Sequence, residues 1–143
     1  MISNSSKYAI KAVLFLAINS TEEKKIMVKD IANPINVPQA YIAKLLQELA
    51  KQKLISSTRG PKGGFYLSAL DKNRSVMDIV AVIEGERNLS ACLLSLEKCD
   101  KNNPCPIHHL ISPSRSVLIK NLKQKTIIEL ALDVKSGKSS LPL

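Results

Sequence analysis

With 143 residues and an apolar fraction of 45%, the chain can build one compact domain, or a small domain plus an appendage. Aromatics make up only 3%, so the core must be aliphatic, which favours helices packed through Leu, Ile, Val and Ala. The net charge of +9 is uneven: residues 1–75 hold 12 cationic and 5 acidic side chains and residues 76–143 hold 9 and 7, which directs the first half at a polyanion.

Residues 3–6 offer helix caps, and residues 8–19 are nearly all apolar, which predicts a helix buried on most sides. The longest apolar run, 9–18, is about half a bilayer span and is interrupted by Lys11. No signal-peptide layout precedes it, and no basic amphipathic helix with a bulky aromatic face suits a membrane surface, so a cytoplasmic protein is expected. After a polar loop over 20–25, a short helix is expected over 28–33, stopped by Pro34. Residues 34–37 then turn the chain, and Pro38 suits the first turn of the next helix. There Ile42, Leu45, Leu46 and Leu49 fall at i, i+3, i+4 and i+7, an inward stripe. The opposite face carries Ala40, Lys44, Gln47 and Lys51, with Tyr41 on its flank. Two helices across a tight turn, the second with a polar-basic outer face, fit a helix-turn-helix, with a plain helical hairpin as the alternative.

Residues 54–58 have strand character and lead into Arg59-Gly60-Pro61-Lys62-Gly63-Gly64, after which Phe65-Tyr66-Leu67 lead out. Glycine and proline between two extended runs read as a hairpin, here with the cations Arg59 and Lys62 at its tip. Such a tip suits a phosphate or a narrow groove, although an ordinary solvated hairpin would look the same. A phosphate-cradling loop fails, because no Gly-Lys-Ser/Thr follows and the chain continues as strand. The order helix, helix, helix, basic-tipped hairpin is that of a winged helix-turn-helix. The expected fold class is therefore mainly α with one small β-hairpin.

A further helix is expected over 75–84, capped by Ser75, with Asp78 at its positive end and Val76, Ile79, Val80 and Ile83 buried; Gly85 ends it. Residues 86–106 are less regular. Beyond them Val117, Leu118, Leu122, Ile127, Ile128 and Leu130 have roughly helical spacing and predict one apolar-striped helix, which pairs with a second chain or packs back on its own domain. The tail from Lys135 is polar.

Three cysteines, an odd number, argue against a disulfide framework in a reducing compartment. Cys92, Cys99, Cys105 and His108 read C-x6-C-x5-C-x2-H, a set of soft ligands suited to zinc or an iron–sulfur cluster. No tight C-x2-C knuckle of the structural-zinc kind is present, and Asn102-Asn103-Pro104 with Pro106 stiffen the loop. Cluster, zinc and metal-free thiols all remain open on spacing alone. A Cys105–His108 or Cys105–His109 nucleophilic pair has neither oxyanion hole nor acid partner to support it, so no enzyme is expected. His108 competes with His109 as ligand, and a histidine at a helix start also serves as a surface cap.

Taken together, Ser5-x-x-Tyr8-Ala9-x-x-Ala12, Asp30-Ile31-Ala32, Tyr41-Ile42-x-Lys44-Leu45-Leu46-x-x-Leu49 and Leu54-Ile55-x-Ser57-x-Arg59-Gly60-Pro61-x-Gly63-Gly64 resemble the Rrf2 family of bacterial transcription regulators over nearly the whole chain. The wing sequence is the most specific of these matches. Lys53 stands where many members carry glycine, Ala43 where one branch has a DNA-facing glutamate, and Pro113 where the family's long helix would already be running. The resemblance implies a winged-helix homodimer held by a long C-terminal helix and bound to a roughly palindromic operator of double-stranded DNA. It divides the chain into a DNA-binding domain, 1–74, and a dimerisation and cysteine-loop sensor region, 75–143. The implied DNA-facing residues are Ser5, Lys7, Gln39, Ala40, Tyr41, Lys44, Arg59, Lys62 and Gly63. Branches of the family hold a [2Fe–2S] or [4Fe–4S] cluster on three cysteines. Cys92, Cys99 and Cys105 resemble those ligands, and His108 resembles the histidine ligand of the iron–sulfur biogenesis regulator. Zinc is the alternative metal, and the alternative functions are a cluster-free regulator under zinc, thiol-redox or partner-protein control, or a regulatory module that docks on an enzyme.

Overall fold

In a computed structural model, the structure describes residues 2–94 and 100–142. The expected ligand Cys99 lies outside the described residues. The chain runs α1 (Asn4–Asn19), α2 (Val28–Ile35), α3 (Gln39–Lys51), β1 (Ser56–Thr58), β2 (Gly64–Tyr66), α4 (Ala69–Lys72), α5 (Val76–Ser90), α6 (His108–Gln124) and α7 (Ile127–Lys135). This is the expected helical architecture with one antiparallel hairpin.

The nearly unbroken apolar sequence of α1 makes it the central helix. Ser3 caps it, accepting the Ser6 N–H, and Ala9, Ala12, Val13 and Leu16 are wholly buried. Against it pack α2, α3, α5 and α7. From α3 the predicted stripe points inward: Ile42, Leu46 and Leu49 have no exposed surface, and Leu45 is half-buried. Each such side chain stabilises the fold by about 1.5–3 kcal/mol.

Several expected boundaries are corrected. The second helix does not stop at Pro34; it continues to Ile35 and ends at Asn36, whose φ of 59° is left-handed. Proline disfavours helix in the residue before it but does not forbid it. Here the burial of Ile35 and Val37 holds the last turn in place. Leu54 and Ile55 are core residues ahead of the strand, which begins at Ser56. Lys53, in place of the family's frequent glycine, also has a left-handed φ of 59°. A glycine preference at that position is thereby explained, and lysine adopts the conformation under strain.

The hairpin pairs Ser56 with Tyr66, Ser57 with Phe65 and Thr58 with Gly64. Ile26, just before α2, bonds both backbone groups of Phe65 and adds a third extended segment. At the tip the Gly63 N–H donates to the Gly60 carbonyl at 2.9 Å, closing a turn with Pro61 and Lys62 at its centre. A methyl group on Gly63 would collide with the Thr58 carbonyl oxygen, and one on Gly64 would lie 2.7 Å from that of Ile26. Both positions therefore require glycine for backbone-to-backbone approach.

The short α4 was not expected. Its Ser68–Asp71 capping box is closed by reciprocal bonds, and the buried Asp71 also accepts from Ser56 Oγ at 2.6 Å, which ties α4 to the wing. The cap of α5 is as expected, Ser75 with Asp78. Gly85 interrupts α5 with φ 76° and ψ 158°, but helical turns resume as far as Ser90. The C-terminal apolar stripe belongs to two helices, not one. Thr126 caps α7 through a capping box with Glu129, and Val76 N–H to Lys125 O and Ile127 N–H to Arg74 O pin this junction to the start of α5. Ile127 and Ala131 then bury completely in the core beside α1. Pro113 lies inside α6, which starts at His108 and is continuous to Gln124. No helix among the described residues is long and apolar enough to cross a membrane.

Candidate nucleic-acid interface and cysteine pocket

The buried stripe of α3 fixes which residues face outward. Gln39, Ala40, Lys44, Gln47 and Lys51 are exposed, and Tyr41 is 37% exposed at the first turn. The wing presents Arg59 and Lys62 to solvent. Between helix and wing runs an open groove lined by Gln47, Lys51, Ser57, Thr58 and Arg59, so cations stand on both of its walls. Lys51, Ser57 and Thr58 were not in the set implied by the resemblance; their shared groove becomes visible only when the hairpin folds beside α3. Lys7 is exposed near the start of α1.

Two expected DNA-facing residues are engaged within the protein. Ser5 is half-buried, and its hydroxyl shares a 2.5 Å hydrogen bond with that of Tyr41, while the Tyr8 ring meets the Tyr41 ring edge-on at 6.0 Å. Gly63 is buried, so it shapes the tip rather than presenting a surface.

Beyond α5 in the chain, Cys92 (6% exposed), the half-buried Cys105 and His108 (7% exposed) line one narrow pocket with Leu93, Ile107, Ile111, Ser112 and Arg115. His108 opens α6, and its N–H donates to the Cys105 carbonyl at 3.0 Å. The cap position is Ile107, without a side-chain cap bond, so His108 is not a surface cap. Its rival His109 is exposed, with its ring edge-on to that of His108 at 5.3 Å. Three of the four expected ligands thus line one pocket. Among the described residues, no three His, Cys, Asp or Glu side chains are grouped closely enough to hold a single metal ion. Sequence reasoning missed Arg115, whose buried Nε has no acceptor among the described residues.

The chain matches the Rrf2 family model, described as an iron-dependent transcriptional regulator, over residues 2–133. It is 30% identical to a candidate HTH-type transcriptional regulator of Aquifex aeolicus, with 91% of this chain and 90% of that protein aligned. The oxidised form of Staphylococcus aureus CymR superposes with a TM-score of 0.70 at 28% identity, covering 92% of this chain and 95% of that one. IscR of T. potens has the same fold, with a TM-score of 0.74 at 21% identity over 98% and 92% of the two chains. A match spanning this much of the sequence, with a basic wing beside an outward-facing α3, makes the chain a member of the Rrf2 family of transcriptional regulators.

Proposed function

We propose that this regulator binds a roughly palindromic operator as a homodimer, and that an iron–sulfur cluster on Cys92, Cys99, Cys105 and His108 sets its DNA affinity. The observation that carries the reading is the shared pocket of Cys92, Cys105 and His108 at the start of α6. The donor set fits such a group. Thiolates and imidazole are its ordinary ligands, and a thiolate-bound cluster could offer an acceptor to Arg115 Nε, which has none among the described residues. A cluster of two or four irons also spreads its ligands more widely than one ion does. Once bound, it supplies a reversible redox or small-molecule-reactive centre; the chain's residues do the rest. The family description as iron-dependent and the resemblance to cluster-bearing branches point the same way.

On the DNA side, Gln39, Ala40, Tyr41 and Lys44 face the major groove. Arg59 and Lys62 reach an adjacent minor groove or its phosphates, Gly63 holds the tip in shape, and Ser5 and Lys7 stand near the backbone. In this division of labour residues 1–74 read DNA, and residues 75–143 pair the chains and sense. Along α6, Pro113, Ser114, Val117, Leu118 and Asn121 form an open face, with Val117 58% exposed, which suits a two-fold interface. A dimer lets two half-site contacts add, the second made at high effective concentration.

Anaerobic purification tests the cluster. A brown protein with matching iron and sulfide supports it. A colourless protein with stoichiometric zinc replaces it with a zinc site, and a colourless, metal-free protein with control by thiol oxidation or a partner protein.

A further inference from the structure

The first turn of α1 is held from two sides. On one, a single oxygen of Glu84 accepts from the Ser3 N–H at 2.8 Å, the Ser3 hydroxyl at 2.5 Å and the Ser6 hydroxyl at 2.6 Å. On the other, Ser5 bonds Tyr41 at the first turn of α3. Glu84 immediately precedes Gly85, where α5 breaks before the chain reaches Cys92. A continuous line of bonds therefore leads from the break in α5, through the first turn of α1, to the outward-facing α3.

We propose that Glu84 is a positioning residue for DNA recognition: it clamps the first turn of α1 so that Ser5 holds Tyr41 in its DNA-facing position. The proposal rests on α3 being the helix that reads DNA. The body of α1 is locked in the core, so loosening the clamp is felt at the first turn alone. Bonds to an ionised carboxylate are stronger than neutral ones, and negative charge beside a helix N-terminus is favourable. Partial burial is the largest single influence on the Glu84 carboxyl and raises its pKa. The hydrogen bonds from Ser3 and Ser6 together outweigh it and hold the group below the ordinary glutamate range. Removing the side chain leaves the wholly buried Ser6 hydroxyl without this acceptor. Ser3 already caps α1 through the Ser6 N–H, so the Glu84 bonds are additional to an ordinary cap.

The test is a double-mutant cycle on full-length protein, using a duplex that the wild-type chain selects from a random-sequence pool, at fixed salt. Glu84→Ala should weaken binding about 5- to 20-fold, at the lower end of typical coupling between sites. In a Ser5→Ala background, where the link to Tyr41 is gone, the same change should cost less than about 2-fold. Glu84→Gln, which keeps an acceptor oxygen, should restore part of the affinity and serves if Glu84→Ala fails to fold. Thermal midpoints above the assay temperature show that folded protein is being compared. Equal losses in both backgrounds would reduce Glu84 to a structural residue and overturn the proposal, as would full affinity in Glu84→Ala. If the wild-type chain selects no duplex, the DNA-reading role of α3 fails, and the proposal falls with it.

Discussion

The winged-helix half and the cysteine half of the chain are built differently. The winged-helix half is assembled from close, mutually enforcing contacts: an aliphatic core around α1, glycines that admit carbonyl groups at contact distance, and Asp71 bonded to the wing. The cysteine half holds a narrow pocket at the start of α6, with a buried arginine Nε lacking an acceptor among the described residues. Arg74, at the close of the winged-helix half, likewise has a buried Nε without an acceptor among the described residues, so what sets the cysteine region apart is its soft donors in one pocket, the feature on which the proposed binding role rests. A sensor needs both kinds of region, because a ligand alters activity only through different affinities for two states.

The largest effect should come from the core. Ile42→Ala should destabilise the fold by about 2–5 kcal/mol in denaturant unfolding, since the wholly buried side chain leaves a cavity. His108→Ala should reduce retained iron while costing clearly less stability than Ile42→Ala. An equal loss of stability in both would erase the contrast between a packed and a binding region.

Arg59→Ala sharpens the functional side. It should weaken operator binding by about 1–3 kcal/mol with the thermal midpoint unmoved, because Arg59 is exposed. If its contact is to a phosphate, the slope of log K against log salt should become shallower by about 0.9. Unaltered binding would remove the wing from recognition.

Two smaller effects concern strain and charge. Lys53→Gly should stabilise the protein by about 1 kcal/mol, by relieving a left-handed residue. For Glu84 the folded-state pKa is lowered, so its contribution is fully present above the ordinary glutamate pKa of the unfolded chain and is lost as pH falls through the folded one. The difference in thermal midpoint between wild type and Glu84→Gln should accordingly be largest at neutral pH and vanish in strong acid. A difference that grows on acidification would contradict the ionised clamp.

The winged helix could be read from sequence because its determinants are local. A 3.6-residue stripe on α3 and a Gly-Pro-Lys-Gly-Gly tip each specify their own geometry. The errors arose where distant packing outweighed a local rule. Pro34 is a local stop signal, yet Ile35 is carried past it by the core. The apolar spacing of the last two helices is continuous and suggests one helix, although Thr126 and Glu129 form a capping box that signals a new start. The same signal, Ser68 with Asp71, marked the overlooked α4. In the cysteine half the ligand types were visible as spacing, but the pocket that gathers Cys92, Cys105 and His108 was not. Arg115 joins it from farther along α6, at a position no motif singles out. The Glu84–Ser3 link spans some 80 residues and has no local signature.

The most direct test compares operator affinity and sequence preference of one protein preparation with and without reconstituted cluster, at fixed salt. The account predicts a difference in affinity of about 5- to 150-fold, or a changed preference between operators. Equal affinity and equal preference in the two forms would contradict control by the cysteine site, even with the cluster fully bound.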